Sequence, residues 1–181
     1  MATAPVIHIG GWPGVGKMTI GRIVAEKLGG RLIHNHLMLD AARAIYARNT
    51  PESVEMRGDV RNAILSHARR LPKEVPIVFT DALADEPAAV PLFQPTLDFA
   101  KSRNAQLHLF VLDASVQENQ RRLREPGRIG GSKLTDPDVL AAIRSSEELF
   151  VPETAIVLDV TDLTAEAAAA VICQHVEQAH G

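Results

Sequence analysis

Gly11, Gly16 and Lys17 lie in the segment Val6-Ile7-His8-Ile9-Gly10-Gly11-Trp12-Pro13-Gly14-Val15-Gly16-Lys17-Met18-Thr19, at the spacing of a phosphate-binding loop, G-x-x-x-x-G-K-[ST]. Glycines let backbone N–H groups crowd around an anion with no Cβ in the way. A helix that starts at the lysine aims its positive end at the same anion, and Lys17 adds a full charge for the β- and γ-phosphates. Gly11, Pro13, Gly14, Val15, Gly16, Lys17, Met18 and Thr19 are therefore the expected nucleotide-binding segment. The pattern breaks at one place. Met18 stands where a hydroxyl normally ligates magnesium, and Thr19 comes one residue late. The flanks fit, with an apolar strand before the loop and Ile20, Ile23, Val24 and Leu28 at helical spacing after it. A plain glycine-rich strand-to-helix turn is the competing reading. A dinucleotide fingerprint is excluded, because a G-x-G-x-x-G run begun at Gly14 needs glycine where Thr19 stands.

Open parallel sheets bind ligands beyond the carboxyl ends of their strands, so polar residues at apolar strand ends are the next candidates. Pro76-Ile77-Val78-Phe79-Thr80-Asp81 places a carboxylate after four apolar residues, as in a Walker B strand. Asp81 suits a hard cation held directly or through water, and a strand-end cap is the alternative. His34-Asn35-His36 spells HNH, but the ββα metal site of that nuclease needs further ligands that this context does not supply. On an extended backbone His34 and His36 face the same way, yet no third zinc ligand is evident. An acceptor-substrate site and a strand-end turn both fit the tripeptide. Asp40, on the following helix, is a candidate general base or a solvated charge. Arg57 and Arg61 stand four apart on a predicted 52–71 helix, opposite a stripe of Met56, Val60, Ile64, His67 and Leu71. They read either as a solvated face or as a pair gripping an anionic group. Arg121-Arg122-Leu123-Arg124, then Pro126-Gly127-Arg128-Ile129-Gly130-Gly131-Ser132-Lys133, puts a basic run on a glycine-hinged loop. Such a segment suits a lid at about 121–134 that closes over polyphosphate, because phosphoryl transfer is mostly positioning and charge neutralisation.

The elements that must position these residues alternate. Strands are predicted at Val6–Gly10, Arg31–His34, Val75–Thr80, Gln106–Asp113 and Ala155–Val160, with the apolar character of strands buried on both faces. Helices are predicted at 17–29, 37–48, 52–71, 96–103, 115–124, 136–149 and 164–179. Thr135-Asp136-Pro137-Asp138 reads as a helix start, Thr164 as a cap of the last helix, and Gly29-Gly30 as the close of the first. Pro87, Pro91 and Pro95 predict a loop with short turns over Asp85–Pro95. Strand-helix alternation implies a parallel sheet with helices on both faces, and no repeat or linker divides the 181 residues, so one domain is expected over 1–181.

Composition narrows the class. A 46% hydrophobic chain of this length buries a sizeable core, and a net charge of −3 argues against a general nucleic-acid or membrane-surface role. The lone Cys173 cannot form an intrachain disulfide and sits in an apolar run. No apolar run is long enough to span a bilayer, and the amino terminus lacks a basic-then-apolar signal. A cytoplasmic protein is expected, with no nucleic-acid or membrane partner, as a monomer or homodimer.

With loop, second-strand polar cluster, Walker B-like strand and arginine-rich lid in order, the chain resembles small P-loop kinases, the group of shikimate kinase, gluconate kinase and chloramphenicol phosphotransferase. Val157-Leu158-Asp159-Val160-Thr161-Asp162-Leu163-Thr164 also resembles the strand and turn that border adenine in these kinases. The resemblance implies a three-layer α/β/α P-loop fold with a five-stranded parallel sheet ordered 2-3-1-4-5. It implies ATP and Mg2+ as cofactors and phosphorylation of a small molecule at a hydroxyl. Asp159 and Thr161 are then expected beside the base, Arg122 stacked on adenine, and Arg124 and Arg128 over the transferring group. Lys17 and Asp81 would be catalytic, Thr19 and Asp81 would organise magnesium, and His34, His36, Asp40, Arg57 and Arg61 would face the acceptor. Shikimate kinase carries acidic residues where this chain has His34-Asn35-His36, so shikimate itself does not follow. A nucleoside monophosphate kinase and a nucleotide-binding protein without phosphotransfer are the alternatives.

Overall fold

Apolar strands too short to bury themselves alone assemble here side by side. In the computed structural model, which describes residues 3–85, 89–125 and 133–180, the chain runs β1 (Val6–Gly11), α1 (Lys17–Lys27), β2 (Arg31–His34), α2 (His36–Arg43), α3 (Pro51–Ala68), β3 (Ile77–Thr80) and α4 (Ala89–Arg103). It continues through β4 (Leu107–Asp113), α5 (Val116–Leu123), α6 (Pro137–Ser146), β5 (Ile156–Asp159) and α7 (Ala165–His180). The strands pair in parallel in the order β2-β3-β1-β4-β5, as the resemblance implies. All six residues of β1, the central strand, are buried. Side chains alternate along it. Ile7 and Ile9 pack with Ile20 and Val24 of α1 and Ala169 and Ile172 of α7. Val6 faces the other way, with Leu65 of α3, Phe79 of β3 and Phe99 of α4. Helices therefore cover both faces, which makes three layers. By the same alternation His8 belongs to the α3–α4 face.

The local signals at helix ends hold. Asp136 Oδ1 accepts from the backbone N–H of Asp138 at 2.8 Å, with Pro137 at the first helical position. Thr164 Oγ1 accepts from the Ala167 N–H at 3.1 Å, and Gly29, at φ +65°, turns the chain out of α1. Cys173 is a free, buried thiol whose pKa burial pushes up.

Three expectations are corrected. The short apolar strands predict burial on both faces, but β2 and β5 are sheet edges, and Arg31 and Val157 are exposed. The second helix ends at Arg43, short of 48, because Ile45 and Tyr46 find no core to cover them. The region read as a proline-broken loop enters a helix at Ala89, and α4 contains both Pro91 and Pro95. Pro91 lies in the first turn, where a backbone N–H has no intrahelical acceptor anyway, so only Pro95 removes a helix bond. Burial of Ala89, Phe93 and Phe99 outweighs that single loss. Among the described residues no helix is long and apolar enough to cross a membrane.

Candidate functional site

The loop between β1 and α1 has the backbone that its glycines permit. Gly11 holds φ +138°, and a Cβ there would lie 2.3 Å from the Leu112 carbonyl oxygen. Gly16 caps α1 at φ +104°, in the left-handed region. The first N–H groups of a helix have no intrahelical acceptor. In α3, α5 and α6 side chains meet that need, whereas the start of α2, like that of α1, has no side-chain cap and no first-turn acid. Thr50, Ser115 and Asp136 cap α3, α5 and α6, each with an acidic residue in the first turn. The start of α1 has neither a side-chain cap nor an acid. That end is left open to an external anion. Lys17 Nζ donates to the carbonyl oxygens of Gly11 and Trp12, both at 2.7 Å, so its ammonium is gathered onto the loop.

Asp81 sits beside this loop. Its backbone N–H donates to the Ile9 carbonyl at 3.2 Å, one pair beyond the β1–β3 ladder. Its Oδ1 accepts from the Ala82 N–H at 2.9 Å and from Asn35 Nδ2 at 3.4 Å, while Oδ2 pairs with Arg61 Nη2 at 3.5 Å. Arg61 also donates through Nη1 to the Leu92 carbonyl at 2.7 Å, beside the proline-interrupted stretch of α4. The phase of α3 differs from the predicted stripe. Ser53, Leu65 and Ala68 are its buried residues, His67 is exposed, and Arg57 and Arg61 are half-buried on the same side as Ser53 and Leu65. The solvated-face alternative therefore fails for Arg61. Arg57 Nε donates to Ser53 O on its own helix. Arg61, Asp81 and Thr80 line a cleft whose walls include Ile33, Met38, Ile64 and Phe79.

His34 and His36 flank Asn35 at the end of β2, with ring centroids 6.1 Å apart. Burial lowers the pKa of both. Asp40 opposes the shift at His36, whereas His34, Lys17 and Lys133 reinforce it. Both imidazoles are thus shifted below the ordinary histidine value. Asp40 itself is exposed. Among the described residues no group of three or more His, Cys, Asp or Glu side chains is placed to hold a metal. Magnesium typically takes one or two carboxylates and keeps water and phosphate for the rest. Asp81 supplies one such oxygen beside the loop, and the donor set fits that mode. Thr19 is exposed on α1.

Two features tie the loop to the opposite side of the sheet. Arg122 donates from Nη1 to Val15 O at 3.0 Å, from Nη2 to Val160 O at 2.6 Å, and from Nε to Glu118 Oε1 at 2.7 Å. Its in-plane donors thus join the phosphate loop to the β5–α7 turn. Hydrogen bonds from Arg121 and then Arg122 lower the Glu118 pKa to about 2. In that turn Asp159 Oδ1 accepts from Thr161 N–H at 2.8 Å and Oγ1 at 2.6 Å, and the Thr161 hydroxyl accepts from Ser115 N–H at 2.9 Å. The second feature was not anticipated from the sequence. Asn119 Nδ2 donates to Pro13 O at 3.0 Å, and Arg144 donates to Asn119 Oδ1 at 3.0 Å. Arg144 also pairs with Asp113 at 3.2 Å and lies 5.1 Å from the Trp12 ring centroid. Arg124 is exposed at the end of α5. Arg128 and residues 126–132 of the predicted lid lie outside the described residues.

No protein-family model and no curated protein matches the sequence. Solved structures do match. A tunicamycin resistance protein of Deinococcus radiodurans is similar at 22% identity and TM-score 0.61, over 96% of this chain and 95% of that one. A gluconokinase from Sinorhizobium meliloti is similar at 18% and 0.59, over 99% and 98%. Shikimate kinase from Acinetobacter baumannii, in complex with shikimate, is similar at 20% and 0.59, over 98% and 95%. The chain has the three-layer α/β/α fold that these structures share, and the likeness extends over nearly its whole length.

Proposed function

We propose that this chain is an ATP-dependent phosphotransferase acting on a hydroxyl of a small molecule. The observation that carries the reading is the position of Asp81, hydrogen-bonded through its backbone to Ile9 of β1 and lining the cleft that runs beneath α3 and α4. A phosphate loop and an acceptor cleft thereby share one carboxylate. Lys17 and the N–H groups at the start of α1 would bind the triphosphate. Magnesium, held by Asp81 through water, would neutralise charge on the β- and γ-phosphates. Arg122 would border the base together with Asp159 and Thr161, its guanidinium plane fixed by backbone carbonyls. Arg124 and Arg128 would close over the transferring group. Arg61, His34 and His36 would orient the acceptor, with Asp40 and Arg57 farther out. The acceptor oxygen would attack the γ-phosphorus as its bond to the β-phosphate oxygen breaks, releasing ADP. His36 would take the proton, because burial disfavours its charged form in the resting site and Asp81 is already ion-paired.

The test is acceptor-dependent ADP release from magnesium-ATP across a panel including shikimate, gluconate and nucleoside monophosphates. ADP release that depends on a hydroxylic acceptor and is lost in Asp81→Asn supports transfer. Transfer to a nucleoside monophosphate would place the chain with nucleotide kinases. Tight ATP binding with no ADP release across the panel would favour a nucleotide-binding protein without transfer, a reading that Met18 supports.

A further inference from the structure

The buried polar side chain of His8 has no part in the machinery above. His8 is 4% exposed at the middle of the central strand, between the apolar Ile7 and Ile9. Its Nε2 is buried without a hydrogen-bond partner among the described residues. Leaving a buried donor or acceptor unmade is costly, and natural folds rarely do so without a reason. The ring is held edge-on against Phe93, centroids 4.9 Å apart, and Phe93 is held in turn against Phe150 at 5.6 Å. His8 and Asp81 line two cavities at once. One is the cleft beneath α3 and α4, and the other is a space bounded by Gly10, Gly11, Val111 and Phe150. His8 therefore stands at the neck between the acceptor cleft and the root of the phosphate loop.

We propose that His8 is a specificity-determining residue of the acceptor site, whose Nε2 hydrogen-bonds a hydroxyl on an acceptor with an otherwise apolar body. The inference rests on the reading of this cleft as an acceptor site. The cleft's walls give half of the argument, since Ile33, Met38, Ile64, Leu65, Phe79 and Pro95 form an apolar part beside the polar part made by Arg61, Thr80, Asp81 and Thr96. The chemistry of the imidazole gives the other half. Burial keeps it uncharged, with a pKa lowered to about 4, and a neutral ring nitrogen pairs with a group that both donates and accepts. A hydroxyl meets that requirement, and an apolar body beside it meets the aliphatic and aromatic part of the walls.

Benzyl alcohol and toluene, which differ by one hydroxyl, are the probes. Their binding is measured on the wild type and on His8→Leu and His8→Gln, by chemical-shift titration of 15N-labelled histidine and of backbone amides. The wild type is expected to prefer benzyl alcohol over toluene at least tenfold more than His8→Leu does. Benzyl alcohol, and not toluene, shifts the His8 Nε2 resonance, and His8→Gln recovers part of the preference. His8→Leu melts at or above the wild-type temperature, because an unpaired polar group has been removed. An equal preference in wild type and His8→Leu overturns the proposal, as does a lower melting temperature for His8→Leu with no change in probe binding. ADP titration of the wild type separates the two levels. Normal ADP binding with equal probe preference refutes the role of His8 alone, whereas absent ADP binding refutes the reading of the site beneath it.

Discussion

Acid should destabilise this protein through His8 in a measurable window. Burial is the main cause of its lowered pKa, the charges of Lys17 and Arg61 add to it, and Asp81 opposes it. The folded value is about 4 against 6.5 for an unstructured histidine. Between those values the unfolded chain holds a proton that the folded one lacks, so stability complete above pH 6.5 is lost as pH falls toward 4. At 1.36 kcal/mol per pH unit the full window is worth about 3 kcal/mol, and about 2 kcal/mol is gone by pH 5. Urea unfolding of the wild type and His8→Leu at pH 7.5 and pH 5 isolates this contribution. His34 and His36 titrate in both proteins and cancel in the difference. The wild type is expected to lose about 2 kcal/mol more than His8→Leu on acidification. Equal losses would refute the reasoning, because His8 would then be protonated, or already paired, in the folded state.

Other substitutions probe the loop and the strand ends. Gly11→Ala should cost at least about 2 kcal/mol, since its Cβ would meet the Leu112 backbone. Gly29→Ala has open space and only a left-handed φ to resist it, so about 1 kcal/mol is expected; thermal melts compare the two, and equal costs would contradict the contact. If His36 takes the acceptor proton, His36→Gln lowers kcat at least tenfold and removes an acidic limb of the pH–rate profile that lies below pH 6.5. An unchanged limb assigns the base elsewhere. Met18→Ser should tighten magnesium-ATP binding and leave metal-free ATP nearly unchanged, because Thr19, one residue on, points about 100° around the helix from the metal direction. Loss of magnesium dependence in Thr19→Ala, with no effect of Met18→Ser, would show that Thr19 has taken the ligand's place.

The glycine-rich turn between β1 and α1 and the sheet were legible because local rules fix them. Gly11, Gly16 and Lys17 are defined by their spacing, and short apolar strands alternating with helices leave few ways to build a parallel sheet. The site beyond the loop was legible only in part. Asp81 and the His34-Asn35-His36 cluster follow from the rule that strand ends gather ligands. Arg61 was ambiguous because α3 carries a weak periodicity, and only packing decides which side faces Asp81. The prolines of α4 misled, since their penalty depends on the turn they occupy and on the burial of Phe93 and Phe99. His8 looked like one interruption in an apolar run. Its meaning depends on Phe93 and Phe150, which come from distant segments, and the same holds for the contacts of Asn119 and Arg144 with the loop.

The central claim is that the glycine-rich loop holds a nucleotide triphosphate through Lys17. Calorimetric titration of ATP into the wild type and Lys17→Ala, both checked for folding by circular dichroism, tests it most directly. A charge-assisted contact of this kind is worth roughly 1.5–3 kcal/mol, so Lys17→Ala should bind ATP at least about tenfold more weakly. Equal ATP affinity in the two proteins, or no binding to the wild type, would contradict the account.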